Sequence, residues 1–218
     1  MKRVVALLLA VVLMTVCFVP AALADDAPSR EDMRGHGDIA VPKQDSWLSA
    51  YETRYVCASG GVAAFLFKAP ALDSEKFDAI LEGTELTLLA EENGFYLIKT
   101  ADRRLGWIGK GQTAEDTSLL ESLPEMEDSC WIYSCGEGER NTFAVKFNGK
   151  WADIYRASDG AHGRQTFVLS MRRVLLNGQY FIWDGEQFTS RDEYKTPGGK
   201  IRYTITPDTE GLYEKLAG

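Results

Sequence analysis

The chain has 218 residues, 45% of them hydrophobic and 26% charged, with a formal net charge of −8. That balance excludes wholesale disorder and collagen-like structure, and the length suits one large or two small domains at roughly 150 residues each. With 32 acidic against 24 basic side chains and no Lys/Arg cluster, nucleic acid is excluded as a partner, because phosphate neutralisation needs clustered cations.

Lys2 and Arg3 precede an apolar run from Val4 to Val19, broken only by Thr15. Pro20 and the small-x-small step Ala22-Leu23-Ala24 follow, ahead of Asp25-Asp26. This three-part layout predicts a signal peptide over 1–24, cleaved after Ala24. The run is short for a membrane span of about 20 residues, and Val16 is too bulky to precede a lipidated Cys17. The expectation is a periplasmic or secreted protein with no stable membrane anchor after cleavage. Removing 24 residues leaves 194, and losing Lys2 and Arg3 takes the formal charge from −8 to −10.

Residues 25–51 are polar as far as Ser46, contain Pro28, Gly35, Gly37 and Pro42, and show no apolar period, so they read as a flexible leader. Trp47 to Tyr51 read as a short docking turn. Short strands then alternate with turns: Tyr55-Val56-Cys57, Ala63 to Phe67, Glu85 to Leu89, Phe95 to Ile98 and Leu105 to Ile108. Strands this short at this spacing predict a small barrel over 52–112. Residues 113–128 form the natural linker, where Leu119, Leu120 and Leu123 suggest a helical turn stopped by Pro124. From 129 to 218 strands are expected at Trp131–Cys135, Phe143–Phe147, Trp151–Tyr155, Phe167–Leu169, Gln179–Trp183 and Ile201–Ile205. Asn148-Gly149, Asp159-Gly160, Asn177-Gly178 and Asp184-Gly185 punctuate them. These pairs supply the positive φ of tight hairpins, so a second antiparallel barrel or sandwich of about six to eight strands is predicted.

Cleavage leaves Cys57, Cys130 and Cys135, an odd count that keeps at least one thiol unpaired within the chain in an oxidising compartment. A strand from Cys130 to Cys135 separates those two by roughly 16 Å, on opposite faces. That is well beyond disulfide reach. Which of the three are bridged is left open, and all three also suit small buried apolar positions.

The first block resembles the bacterial Src-homology-3-like domain over about 54–110. The resemblance rests on Tyr55-Val56-Cys57-Ala58-Ser59, Leu66-Phe67-Lys68-Ala69-Pro70, Ile80-Leu81-Glu82-Gly83-Thr84-Glu85-Leu86, Asn93-Gly94-Phe95-Tyr96-Leu97-Ile98 and Arg104-Leu105-Gly106-Trp107-Ile108. The hydrophobic–Glu–Gly–Thr and Gly–Trp–hydrophobic steps are its most specific parts, while Phe95 stands where the family usually carries Trp. It implies a five-stranded barrel that anchors exported proteins to the cell wall or contacts peptides. Residues 131–194 are similar to the periplasmic C-type lysozyme inhibitors through Tyr133-Ser134-Cys135, Phe143 to Phe147, Ala152 to Tyr155, Leu176 to Tyr180 and Asp192-Glu193. That family bridges its first cysteine to one near the C-terminus, and this chain has no cysteine after Cys135. Its inhibitory loop carries Ser and a basic residue around the Gly, where this chain has Leu176, Asn177 and Gln179.

Catalytic chemistry finds few candidates. A cysteine nucleophile needs a His base and an orienting group, and the chain has only His36, in the leader, and His162, expected at a hairpin tip. Neither zinc nor calcium spacing is present, and no phosphate loop precedes a helix. No catalytic residue, metal or cofactor is therefore expected, and the protein is not expected to be an enzyme. Aromatic side chains remain as ligand platforms: Tyr55, Phe95 and Trp107 are the candidate binding residues of the first barrel, Trp107 being better suited to its core. Arg172, Arg173, Asn177 and Gln179 are the candidates for an inhibitory loop.

The expected protein is all-β: a cleaved signal peptide, a five-stranded SH3-like barrel, then a second antiparallel barrel or sandwich. The function that fits is a non-catalytic envelope protein whose first domain binds peptidoglycan peptides or an envelope protein. The alternative is inhibition of a secreted hydrolase such as lysozyme by the C-terminal domain, though strong lysozyme inhibition is not expected.

Overall fold

A computed structural model describes residues 27–218, so the expected signal peptide and its cleavage site lie outside the described residues. The chain is all-β. Its first sheet comprises β1 (Trp47–Val56), β2 (Ala63–Phe67), β3 (Lys76–Leu81), β4 (Glu85–Glu92), β5 (Phe95–Lys99), β6 (Leu105–Gly109) and β7 (Thr113–Ala114). They lie in the order β3-β2-β6-β5-β4-β1-β7. The second unit is a closed barrel in which β8 (Cys130–Ser134), β9 (Thr142–Asn148), β10 (Trp151–Arg156), β11 (His162–Ser170), β12 (Arg173–Leu176), β13 (Gln179–Trp183) and β14 (Phe188–Ser190) follow one another up and down. The small hairpin of β15 (Tyr194–Thr196) and β16 (Gly199–Ile201) interrupts the run before β17 (Thr204–Pro207) closes the barrel on β8. Closure leaves no free edge to aggregate.

The turns follow the sequence in part: at Asn148-Gly149, Asp159-Gly160 and Asp184-Gly185 only the glycine takes positive φ. Asn93-Gly94 and Asn177-Gly178 hold both residues at positive φ, the type I′ geometry that matches the twist of two joined strands. The first sheet has seven strands rather than five for local reasons. β1 extends back to Trp47, through the segment expected as a docking turn, and Thr113–Ala114 of the expected linker pairs with it as β7. β3 gives no clear sequence signal because Phe77, Ala79 and Leu81 face solvent while Ile80 is buried, so its alternation marks the wrong face.

β5 and β6 are buried on both faces, and two separate clusters explain this. Tyr96, Ile98 and Ile108 join Leu66, Ile80, Leu86 and Leu88 in one core. Phe95, Leu97, Leu105 and Trp107 join Phe67 and Leu89 in a second, covered by Met33 and Ile39. The segment read as a flexible leader is thus packed. Met33 and Ile39 are buried on the sheet, and burying each such side chain contributes roughly 1.5–3 kcal/mol. Polar contacts fix its course: Trp107 Nε1 donates to the Ala40 carbonyl at 3.0 Å, and Asp32 accepts from Tyr51 Oη at 3.0 Å and Lys99 Nζ at 3.1 Å. Gly106 of the Gly–Trp step is required for close approach, since a Cβ there would meet the Phe77 ring at 2.9 Å and Leu66 Cβ at 3.2 Å.

The barrel interior is filled by Trp131, Tyr133, Val145, Phe147, Val174, Phe181, Trp183, Phe188 and Ile205. The segment expected as a linker plugs and bridges. Its short helix α1 (Ser118–Glu121) is followed by Met126, buried against the barrel core with Leu119 and Leu123 packed beside it. Trp183 Nε1 donates to Ser122 Oγ at 3.0 Å. On the other side Leu120 reaches Gly83 of the first domain, so the segment touches both units. The C-terminal helix α2 (Leu212–Ala217) presents Tyr213 edge-on to Tyr155 of β10.

Candidate functional site

A groove of about 1060 Å³ runs along the junction of the two domains. The first domain supplies its apolar side. Phe67 and Phe95 sit edge to face, centroids 5.5 Å apart, and Phe65 and Leu72 stand beside them at 53% and 83% exposure. Alternation along β2 explains Phe65: Ala64 and Leu66 point into the core, so Phe65 points out. Lys76 Nζ lies 4.8 Å from the Phe65 ring centroid and 5.6 Å from that of Phe67. Asn93-Gly94 and Gly109-Lys110 form one end, where Lys110 pairs with Glu91 at 2.7 Å. Arg173 and Arg191 of the barrel line the opposite side.

What holds the two sides together is a buried ion pair. Arg172, at the tight turn between β11 and β12, enters the first domain, where it is 4% exposed and its partner Glu82 is 6% exposed. Its Nε donates to Glu82 Oε1 at 2.6 Å, one terminal nitrogen to the Trp183 carbonyl at 2.6 Å and the other to the Ala58 carbonyl at 2.9 Å. Glu82 Oε2 accepts from the Ala58 amide at 2.7 Å, so both carboxylate oxygens are satisfied. The backbone joins as well, with the Arg172 amide donating to the Gly61 carbonyl at 3.0 Å. Gly61, at φ +69°, has Ile182 Cγ2 and the Arg172 backbone within 3.3 Å of where a Cβ would stand. A buried pair in which each guanidinium nitrogen and each carboxylate oxygen has a partner specifies geometry, because any other docking leaves a charge unpaired.

The candidate residues divide accordingly. Phe95 and Arg173 come together at the groove, although they were singled out for different sites. Trp107 is fully buried beneath Ala40, so it is a core residue and not a ligand platform. Tyr55 is half-buried on β1, opposite Glu85 and Ala114, and does not line the groove. The residues considered for an inhibitory loop do not form one. Arg172 is enclosed in the domain junction, and Arg173 follows it at the start of β12, 4.7 Å from the Tyr180 ring. Asn177 and Gln179 lie past the opposite end of that four-residue strand, on the order of 10 Å away. Gln179 accepts from Tyr133 Oη at 3.3 Å.

Sequence reasoning missed Phe65, Leu72, Arg191 and the Arg172–Glu82 pair. Alternation carried the signal for Phe65, and a leucine in a Pro-Ala-Leu-Asp turn carried it for Leu72. The ion pair spans 90 positions and left no local trace.

The thiols are the wrong kind for nucleophilic chemistry. Cys57, Cys130 and Cys135 are all free, and burial pushes each above the ordinary thiol range. A reactive thiolate requires the opposite shift. His162 is not at a hairpin tip; it begins β11, stacked on Tyr155 with centroids 4.5 Å apart and 3.5 Å from Asp153. Among the described residues no three His, Cys, Asp or Glu side chains gather as metal ligands.

The described residues form two all-β units with a groove at their junction. Residues 61–112 match the family model of the bacterial SH3 domain, a generally non-catalytic binding module. No curated protein matches the chain. The family match ends before β8, and the likeness of residues 131–194 to lysozyme inhibitors is not shown.

Proposed function

We propose that the mature chain is an exported, non-catalytic cell-envelope protein that binds peptidoglycan peptides through its SH3 domain. The observation that carries the reading is the apolar groove where Phe65 and Leu72 stay open to solvent over Phe67 and Phe95. Side chains of this kind in a concave strip suit an extended peptide, which contributes alternate side chains to an aromatic floor. The signal-peptide layout of residues 1–24 supports export, which would bring the protein to where such peptides are found.

Hydrolase inhibition gains no comparable support. It needs a cation on the candidate loop that can enter an acidic cleft, but Arg172 is inside the protein and Arg173 lines the groove at the other end of β12 from Asn177 and Gln179.

Co-sedimentation of the mature protein with purified sacculi tests the proposal. Wild type is expected in the pellet, and Phe65→Ser with Leu72→Ser is expected to remain in the supernatant. Both residues are exposed, so the pair of substitutions leaves the core intact. Equal pelleting of wild type and variant, or no pelleting of wild type, removes the reading.

A further inference from the structure

We propose that the groove is a composite site in which the C-terminal barrel supplies two arginines for the carboxylates of an acidic peptide. This deepens the peptidoglycan-peptide reading and rests on it. The lining includes Lys110, Arg173 and Arg191 and not one Asp or Glu, in a chain with 32 acidic and 24 basic residues. Such an exclusion of acids from one concave surface of an acidic protein complements an anion.

The arginines are also differently placed from the protein's other groove cation. Lys110 already holds Glu91, whereas neither Arg173 nor Arg191 has a carboxylate partner among the described residues. Both are organised around Tyr180. The Arg173 guanidinium lies 4.7 Å from the Tyr180 ring centroid, and the Arg191 amide donates to the Tyr180 carbonyl at 2.9 Å. Stacking on an aromatic ring holds a guanidinium without using its donors, which stay available for a carboxylate.

Sequence position ties this pair to the junction. Arg173 adjoins Arg172, whose side chain is fixed on Glu82, and it stands opposite Ile182, which packs at Gly61. The domain docking therefore sets where the charges stand relative to Phe65, Phe67 and Phe95. The occupant this arrangement fits is an extended peptide with small apolar side chains and at least one free carboxylate. Peptidoglycan stem peptides have that chemistry.

The test compares the full mature protein with Arg173→Gln/Arg191→Gln by calorimetry, using a soluble stem peptide with free carboxylates and the same peptide with its carboxylates amidated. An L-amino-acid peptide of equal length and charge separates a wall source from a protein source. Arg191 is exposed and Arg173 half-buried, so the melting temperature of the variant is measured alongside, and affinity is compared at a temperature where wild type and variant are both folded. The double variant is expected to bind the free-acid stem peptide about tenfold more weakly or worse. It is expected to bind the amidated form as wild type does and to lose the salt dependence of wild type. Affinities within twofold for the free acid overturn the inference, as does tighter binding of the L-peptide than of the stem peptide. If the arginine variant pellets normally with sacculi while Phe65→Ser/Leu72→Ser does not, only this inference falls. If the apolar variant also pellets normally, the underlying function falls with it.

Discussion

Replacing Arg172 by Met removes the charge that fills the domain junction while keeping a side chain of comparable length. Glu82, 6% exposed, then retains only the Ala58 amide and becomes a buried carboxylate without a counter-charge. Breaking one side of a buried pair costs about 3–5 kcal/mol. The Trp183 carbonyl also loses its donor, while the Ala58 carbonyl keeps the Gly61 amide at 2.8 Å, so little is added beyond that range. At roughly 2–4 °C per kcal/mol for a chain of this size, a loss of about 4 kcal/mol lowers the melting temperature by about 8–16 °C. The double variant Arg172→Met/Glu82→Met removes both charges and leaves the Ala58 amide and the Trp183 carbonyl unpaired. The carbonyl is orphaned in the single variant as well, so the comparison is an uncompensated charge of about 3–5 kcal/mol against one amide of about 1–3 kcal/mol. It should therefore be more stable than the single variant, a strongly non-additive result. Urea unfolding followed by tryptophan fluorescence reads the free energies and a thermal melt reads the temperature shift, with a single transition for wild type. A cost below about 1 kcal/mol for Arg172→Met, or additive effects in the double variant, refutes the account of the junction.

Trp107→Phe keeps the aromatic bulk but loses the Nε1 bond to Ala40; hydrogen exchange over residues 38–42 should quicken, with a stability loss of about 1–2 kcal/mol. Lowering the pH should loosen the same segment. Burial opposes ionisation of Asp32, but the Ser29 amide, Lys99 ammonium and Tyr51 hydroxyl outweigh it and hold the carboxyl below its ordinary 3.8. Its contribution is complete above that value and is lost as pH falls through the lower folded one, so exchange protection near residues 29–34 should decline in strong acid and be flat from pH 5 upward. The three thiols should react slowly with a disulfide reagent at neutral pH and rapidly once the protein is unfolded, since burial keeps each protonated.

The sequence made some elements legible because their information is local. Positive-φ pairs such as Asn93-Gly94 and Asn177-Gly178 mark hairpins by their own backbone preference. The apolar runs Phe95–Ile98 and Leu105–Ile108 mark strands, and they also carry a second signal. A strand apolar at every position is covered on both faces, and the missing cover was the leader, where Met33 and Ile39 are the buried residues of a largely polar stretch. Composition alone made that stretch read as loose. The site was legible in part: Phe95 and Arg173 stood out as an aromatic and a cation, but nothing local places them in one groove. That requires the Arg172–Glu82 pair, whose partners are 90 positions apart.

The central claim is that both domains contribute to one binding site. Chemical-shift mapping of the full mature chain on addition of a soluble stem peptide tests it most directly. The account predicts that amides near Phe65, Leu72 and Phe95 shift together with those of Arg173 and Arg191, along one titration curve. Shifts confined to the SH3 domain, or centred on the opposite end of the barrel near Asn177, contradict it.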